Sequence, residues 1–183
     1  MIICIIIDTW YDFSGALYMT SLRVRKNLNN QTYFLTFTVK NWFYLFDKCN
    51  RWQILTSAFR YYQEKRGLEI DAYVFMINHI HLIAYCTDMI GFIRDFKKFT
   101  TFEFEKNIKN TEPALLKQFL NKQNGFQLWE RTNMPKLVLT EKFFRQKKIY
   151  IESNPVRKGY VALPEHWLYS SAHIPPVLKI KPI

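Results

Sequence analysis

Two histidines stand two residues apart in an otherwise apolar run, Val74-Phe75-Met76-Ile77-Asn78-His79-Ile80-His81-Leu82-Ile83-Ala84-Tyr85, and they are half of the 4 histidines in the chain of 183 residues. In an extended strand successive side chains point to opposite faces, so His79 and His81 share one face while Ile80 and Leu82 turn into the apolar layer. Paired imidazoles on one face can chelate a metal. The same pattern also suits one ring satisfied in the core and the other solvated at the strand end, because H-x-H is short enough to recur by accident. Far along the chain, Phe143 to Arg157 reads as a helix stopped by Pro155, since proline disfavours helical geometry in the residue before it. Tyr150 and Asn154, spaced i,i+4, share a face of that helix with Phe143, Gln146 and Lys147. A hydroxyl that can attack, a carboxamide oxygen that can join a metal and an ammonium that favours phenolate form a coherent chemical set. Asparagine also favours the helix C-cap, so ligand and cap both stand open for Asn154.

Such chemistry needs a strand to hold the imidazoles and a helix to carry the tyrosine to them. The pattern predicts strands over 32–39, 69–76 and 79–86, helices over 51–65 and 89–109, a short strand near 126–131 and the tyrosine helix over 141–153. Trp52, Leu55, Phe59 and Tyr62 set the spacing of the first helix. This order is α+β and fits a ferredoxin-like split β-α-β arrangement, a central antiparallel sheet carrying the His-x-His strand with helices packed on one side. One domain is expected, with no internal repeat and no glycine- or serine-rich linker. Residues 1–30 read as an N-terminal extension, either partly disordered or an edge strand. Residues 31–174 read as the domain itself, 110–125 within it as a looser insert, and 175–183 as a C-terminal tail.

Four landmarks carry a family resemblance. Thr32-Tyr33-Phe34-Leu35-Thr36-Phe37-Thr38 lies in the first strand, Ala72 to Ile83 surrounds the histidines, and Asp95-Phe96-Lys97-Lys98-Phe99 lies in the next helix. The fourth is Tyr150-Ile151-Glu152-Ser153-Asn154-Pro155-Val156-Arg157-Lys158-Gly159, followed by Pro164-Glu165-His166-Trp167-Leu168-Tyr169-Ser170-Ser171-Ala172. In order and spacing they resemble the REP-associated tyrosine transposases, relatives of the single-tyrosine transposases of small insertion sequences within the HUH endonuclease class. The resemblance implies the ferredoxin-like fold and a metal-dependent endonuclease and strand transferase acting on single-stranded DNA near a hairpin, either REP-like or an insertion-sequence end. Tyr150 would be the nucleophile, leaving a 5′-phosphotyrosine link and a free 3′-hydroxyl. His79, His81 and Asn154 would hold a divalent ion, Mg²⁺ or Mn²⁺, for which a carboxamide oxygen is an acceptable hard ligand. No nucleotide cofactor is implied. Insertion-sequence relatives work as dimers with the tyrosine helix exchanged, whereas the REP-associated group assembles each site within one chain, so a monomer is favoured over a dimer.

Composition agrees with a nucleic-acid partner: 26 Lys and Arg against 15 Asp and Glu give a net charge of +11. No acidic residue lies between Phe13 and Phe46, where Arg23, Arg25, Lys26 and Lys40 are basic, and Lys136, Lys142, Arg145, Lys147, Lys148, Arg157 and Lys158 surround the proposed nucleophile. After the histidine strand, Phe92, Phe96 and Phe99 are expected on one helical face and Arg94, Lys97 and Lys98 on the opposite one. The DNA-contacting candidates are therefore Arg94, Lys97, Lys98, Lys147 and Arg157, with Trp129, Trp167 and Tyr169 as weaker candidates for base stacking. Met1 to Ile7 is too short for a membrane span and lacks the basic flank of a signal peptide, and Met19 is a candidate natural start. Cys4, Cys49 and Cys86, an odd number without C-x-x-C spacing, suit reduced thiols in a cytoplasm, with nucleoid association when bound to DNA. Cys86 is expected on the strand face away from the histidines. Two further readings are a catalytically silent DNA binder on the same scaffold and a zinc hydrolase, the latter poor because zinc hydrolases need more His, Asp or Glu ligands.

Overall fold

Alternation along Gln31–Thr38 (β1) sends Tyr33, Leu35 and Phe37 to one face and Phe34 to the other. His79–Cys86 (β3) does the same, with Ile80, Leu82, Ala84 and Cys86 on the first face and Ile83 on the second. In Glu69–Phe75 (β2) a bulge between Ile70 and Ala72 resets the parity, so that Ile70, Tyr73 and Phe75 join the first face and Ala72 and Val74 the second. These strands and a short fourth, Lys136–Leu137 (β4), form one antiparallel sheet in the order β2-β3-β1-β4. The computed structural model describes residues 29–131 and 135–182, and the proposed extension or edge strand before residue 29, with Cys4 and the basic Arg23, Arg25 and Lys26, lies outside them.

Two helices cover the first face. Arg51–Lys65 (α1) brings Leu55, Phe59 and Tyr62, and Met89–Thr111 (α2) brings Phe92, Phe96, Phe104 and Ile108, into the main core. The buried Arg51 guanidinium ties them together, donating to Glu112 at 2.5 Å, to Asn107 Oδ1 at 2.9 Å and to the Leu45 carbonyl at 3.2 Å. Glu141–Arg157 (α3) packs on the other face, where Ile151, Phe144 and Tyr150 meet Phe34, Ala72, Val74, Met76 and Ile83. The α+β ferredoxin-like arrangement is as expected, but the helices lie on both faces. The physical reason is that Phe34, Val74 and Ile83 make the histidine face apolar and it too must be covered.

Three boundaries differ from expectation. Residues 126–131 form no strand of their own and run beside the end of β1 through an isolated Val39–Trp129 bridge, with Glu130 N–H donating to Thr38 and Lys40 N–H to Leu128 at 2.8 Å each, the fourth strand being β4. The insert over 110–125 contains a 3-10 helix, Pro113–Phe119, whose Phe119 is fully buried. α3 runs through Pro155 to Arg157. The far edge of β2 is closed by the chain after α3: Phe75 N–H donates to Tyr169 at 2.8 Å and Ser171 N–H to Tyr73 at 2.9 Å. The segment read as a tail follows the same edge, with Leu178 buried and Lys181 N–H donating to Ile70 at 2.8 Å. Among the described residues no helix is long and apolar enough to cross a membrane.

Candidate active site

β3 places His79 and His81 on the sheet face that α3 covers, both buried, with ring centroids 4.8 Å apart. Each ring is held through Nδ1. His79 Nδ1 lies 2.7 Å from Asn78 Oδ1, an oxygen that can only accept, so the proton sits on Nδ1 and Nε2 keeps its lone pair. His81 Nδ1 lies 2.9 Å from Thr36 Oγ1, and β1 supplies that hydroxyl because Thr36 is the direct cross-strand partner of His81. Burial, with Lys158 adding, lowers the His79 pKa to about 4. Burial first, then His79, Lys147 and Lys158, holds His81 well below the ordinary imidazole value. Both rings are therefore neutral at pH 7, the form in which imidazole binds a metal. On His79, a protein acceptor on Nδ1 with the lone pair left on Nε2 is also how metal-binding histidines are oriented.

Tyr150 comes from α3, whose Thr140 N-cap side chain accepts from Phe143 N–H at 3.2 Å. Its hydroxyl lies 3.3 Å from His81 Nε2 and its ring centroid 5.1 Å from that imidazole. Lys147 Nζ stands 5.4 Å and the Arg157 guanidinium 5.3 Å from the Tyr150 ring centroid, so two cations attend the phenol. Lys147 is half-buried over Phe34 as well, and burial, with Lys136 adding, lowers its pKa. Asn154 is not the helix cap. It lies inside α3, 4% exposed, its carbonyl accepting from Lys158 N–H at 3.0 Å. Its carboxamide has no hydrogen-bond partner among the described residues, a state that costs about 1–3 kcal/mol unless something satisfies it. Among the described residues no three His, Cys, Asp or Glu side chains gather into a metal-holding group. Two neutral imidazoles and a buried amide oxygen one turn beyond Tyr150 nonetheless fit a small divalent ion that accepts mixed N and O ligands.

The remaining candidates divide by sheet face. Lys147 and Arg157 adjoin Tyr150. Arg94, Lys97 and Lys98 ride on α2, against the opposite face. Arg94 pairs with Asp95 at 2.6 Å, and Lys97 is half-buried, donating to the Glu130 carbonyl at 2.9 Å, with burial lowering its pKa to about 8. Phe99 is 47% exposed, and the buried stripe of α2 continues instead through Thr100. Trp129 is core, its indole donating to Thr100 Oγ1 at 2.9 Å. Trp167 donates to the Phe75 carbonyl at 2.8 Å and stacks on Tyr160, and Tyr169 stacks on Trp52 with centroids 4.4 Å apart. Cys86 sits in the core away from the histidines. Sequence reasoning missed Thr36 and Asn78 as parts of the site. Asn78 was readable from its place directly before His79, whereas Thr36 required the strand register.

The fold is similar to that of a solved REP-associated tyrosine transposase bound to a REP hairpin, with 24% identity and a TM-score of 0.63 over 83% of this chain and 82% of that one. The fold implied by the sequence resemblance is thus the fold observed. A transposase candidate from Deinococcus radiodurans R1 superposes less well, with 18% identity and a TM-score of 0.44 over 72% of this chain and 95% of that one. No protein-family model and no curated protein matches the chain.

Proposed function

We propose that this protein is a metal-dependent single-stranded DNA endonuclease and strand transferase of the transposase type, cleaving near a hairpin through a covalent 5′-phosphotyrosine intermediate. The observation that carries the reading is the 3.3 Å approach of the Tyr150 hydroxyl to His81 Nε2, across 69 residues of sequence, beside a second neutral imidazole. Tyr150 gives up its proton and its oxygen attacks the scissile phosphorus, forming the Tyr–phosphate ester as the bond to the 3′-oxygen breaks. The leaving oxygen takes a proton and becomes a free 3′-hydroxyl. The ester retains the bond energy, so a second strand's 3′-hydroxyl can displace the tyrosine and rejoin the DNA. Mg²⁺ or Mn²⁺ held by His79, His81 and Asn154 would polarise the scissile phosphate and offset its developing charge. Lys147 and Arg157, against the Tyr150 ring, hold the phosphate near the attacking oxygen.

A DNA hairpin as substrate is supported by the net charge of +11 and by the REP hairpin bound to the similar transposase. The contact of Tyr150 with His81 of its own chain supports a site completed within one monomer. The working place is the cytoplasm, on the nucleoid when DNA is bound. The testing variant is Tyr150→Phe, which removes only the attacking oxygen. Cleavage and the covalent adduct should vanish on denaturing electrophoresis while hairpin binding persists. Equal loss of binding and cleavage would refute the assigned role, and wild-type binding without cleavage under Mg²⁺ or Mn²⁺ would leave a silent DNA binder.

A further inference from the structure

We propose that Trp42 and Tyr44 form a stacking site for an unpaired base of the strand that Tyr150 cuts, an inference that rests on the endonuclease reading. The turn after β1 carries Asn41 at φ 55° and Trp42 at φ 57°, left-handed backbone that is unusual for a bulky residue and persists only where the surroundings enforce it. They do so here. Trp42 N–H donates to Val39 at 2.9 Å, Asn41 N–H to Glu130 Oε1 at 2.8 Å, and Asn78 Nδ2 to the Trp42 carbonyl at 2.7 Å. The enforced turn leaves the indole 59% exposed, with its ring centroid 5.4 Å from that of His79. Tyr44, 64% exposed, shares a surface hollow with Trp42, Phe43 and Asn78.

An aromatic pair held open to solvent, against the imidazole of the candidate metal site, is suited to the apolar face of a nucleobase. Stacking of this kind is sequence-tolerant because every base has a π-face. The surroundings fit the rest of a nucleotide. Lys158, the C-cap of α3 four residues beyond Asn154, offers a charge for the backbone phosphate. Tyr44 lies near enough to Tyr160 to help raise its pKa after burial, and Tyr160 stacks on Trp167 with centroids 5.5 Å apart, so the aromatic surface continues past the hollow. A single carboxamide links base and metal: Asn78 donates to the Trp42 carbonyl and accepts from His79 Nδ1–H. A base on Trp42 thereby sits one residue from the group that orients His79.

The experiment measures binding in chelator, which separates it from cleavage, using hairpin oligonucleotides with unpaired flanks taken from the DNA beside the gene. Trp42→Ala should weaken binding about 5- to 100-fold, and Trp42→Phe should recover most of the loss. Tyr44→Ala should weaken it in the same direction. In wild-type protein an abasic site at one unpaired position should reproduce the loss, and at that position Trp42→Ala should cost nothing further. Unchanged affinity in Trp42→Ala, or a loss that persists at every abasic position, overturns the stacking site while a Tyr150 adduct leaves the endonuclease reading standing. Failure of the wild type to bind any hairpin oligonucleotide overturns both.

Discussion

At the scale of single residues, the two histidines are alike in what they keep inside and what they offer. Each anchors Nδ1 on a protein group, Asn78 for His79 and Thr36 for His81, so that Nε2 faces the site, where that of His81 meets the Tyr150 hydroxyl at 3.3 Å. Their burial makes a prediction about the metal-free protein. The His79 value falls from 6.5 to about 4 on folding, so between those pH values the unfolded chain binds a proton that the native state refuses. Stability is therefore full above pH 6.5 and is lost as the pH drops, by roughly 3 kcal/mol from His79 alone. Urea denaturation at pH 7.5 and pH 5 should show about 2 kcal/mol of this loss, the rest coming as the pH falls to 4, and His79→Gln should remove the His79 share; a native state equally stable at both pH values would contradict the burial argument. Sequence reading reached His79, His81 and Tyr150 because their spacing is local and chemically unusual. It missed Thr36 because that contact depends on which residue of β1 faces His81, which no local pattern encodes.

At the scale of elements, α3 departs most from its sequence reading. Pro155 was expected to stop it. Proline gives up its own N–H and crowds the carbonyl one turn back, yet the helix runs on past it to Arg157 and a different terminator. Gly159, at φ 72°, lets its N–H reach the Val156 carbonyl at 2.9 Å and Tyr160 N–H reach the Pro155 carbonyl at 2.9 Å, the paired bonds of a Schellman ending. Nothing lies within 4 Å of a Cβ built at Gly159, so substitution there meets no obstacle but conformation. Gly159→Ala should accordingly cost about 1 kcal/mol in chemical denaturation. A neutral or stabilising result would mean that the left-handed turn is not what ends the helix. This extra turn is what encloses Asn154, removing the cap role and leaving its carboxamide buried. In α2 the sequence shows the stripe and not its destination. Its periodicity marks a buried stripe but not which sheet face the stripe covers, and the structure sets Arg94, Lys97 and Lys98 on the layer opposite the histidines.

At the scale of the whole molecule, the antiparallel sheet separates a large aromatic core under α1 and α2 from a smaller apolar patch under α3, and the candidate chemistry lies in the second. The ferredoxin-like order was legible because strands and helices alternate with clear periods. The division of helices between two faces was not, because it follows from Phe34, Val74 and Ile83 needing cover, a property of the assembled sheet. Closure of the β2 edge by residues 169–171 was likewise hidden, as isolated backbone bonds leave no periodic trace. What joins the two halves of the site is α3 folding back over its own sheet, and the central claim is that this contact makes Tyr150 the covalent nucleophile. The most direct test is to trap the wild-type protein on a hairpin oligonucleotide with Mg²⁺ or Mn²⁺, digest with trypsin and locate the nucleotide by mass spectrometry. The account predicts a 5′-phosphate-linked nucleotide on Tyr150 within the peptide Ile149 to Arg157, dependent on the metal. A nucleotide on any other residue, or cleavage with no protein-linked DNA, would contradict it.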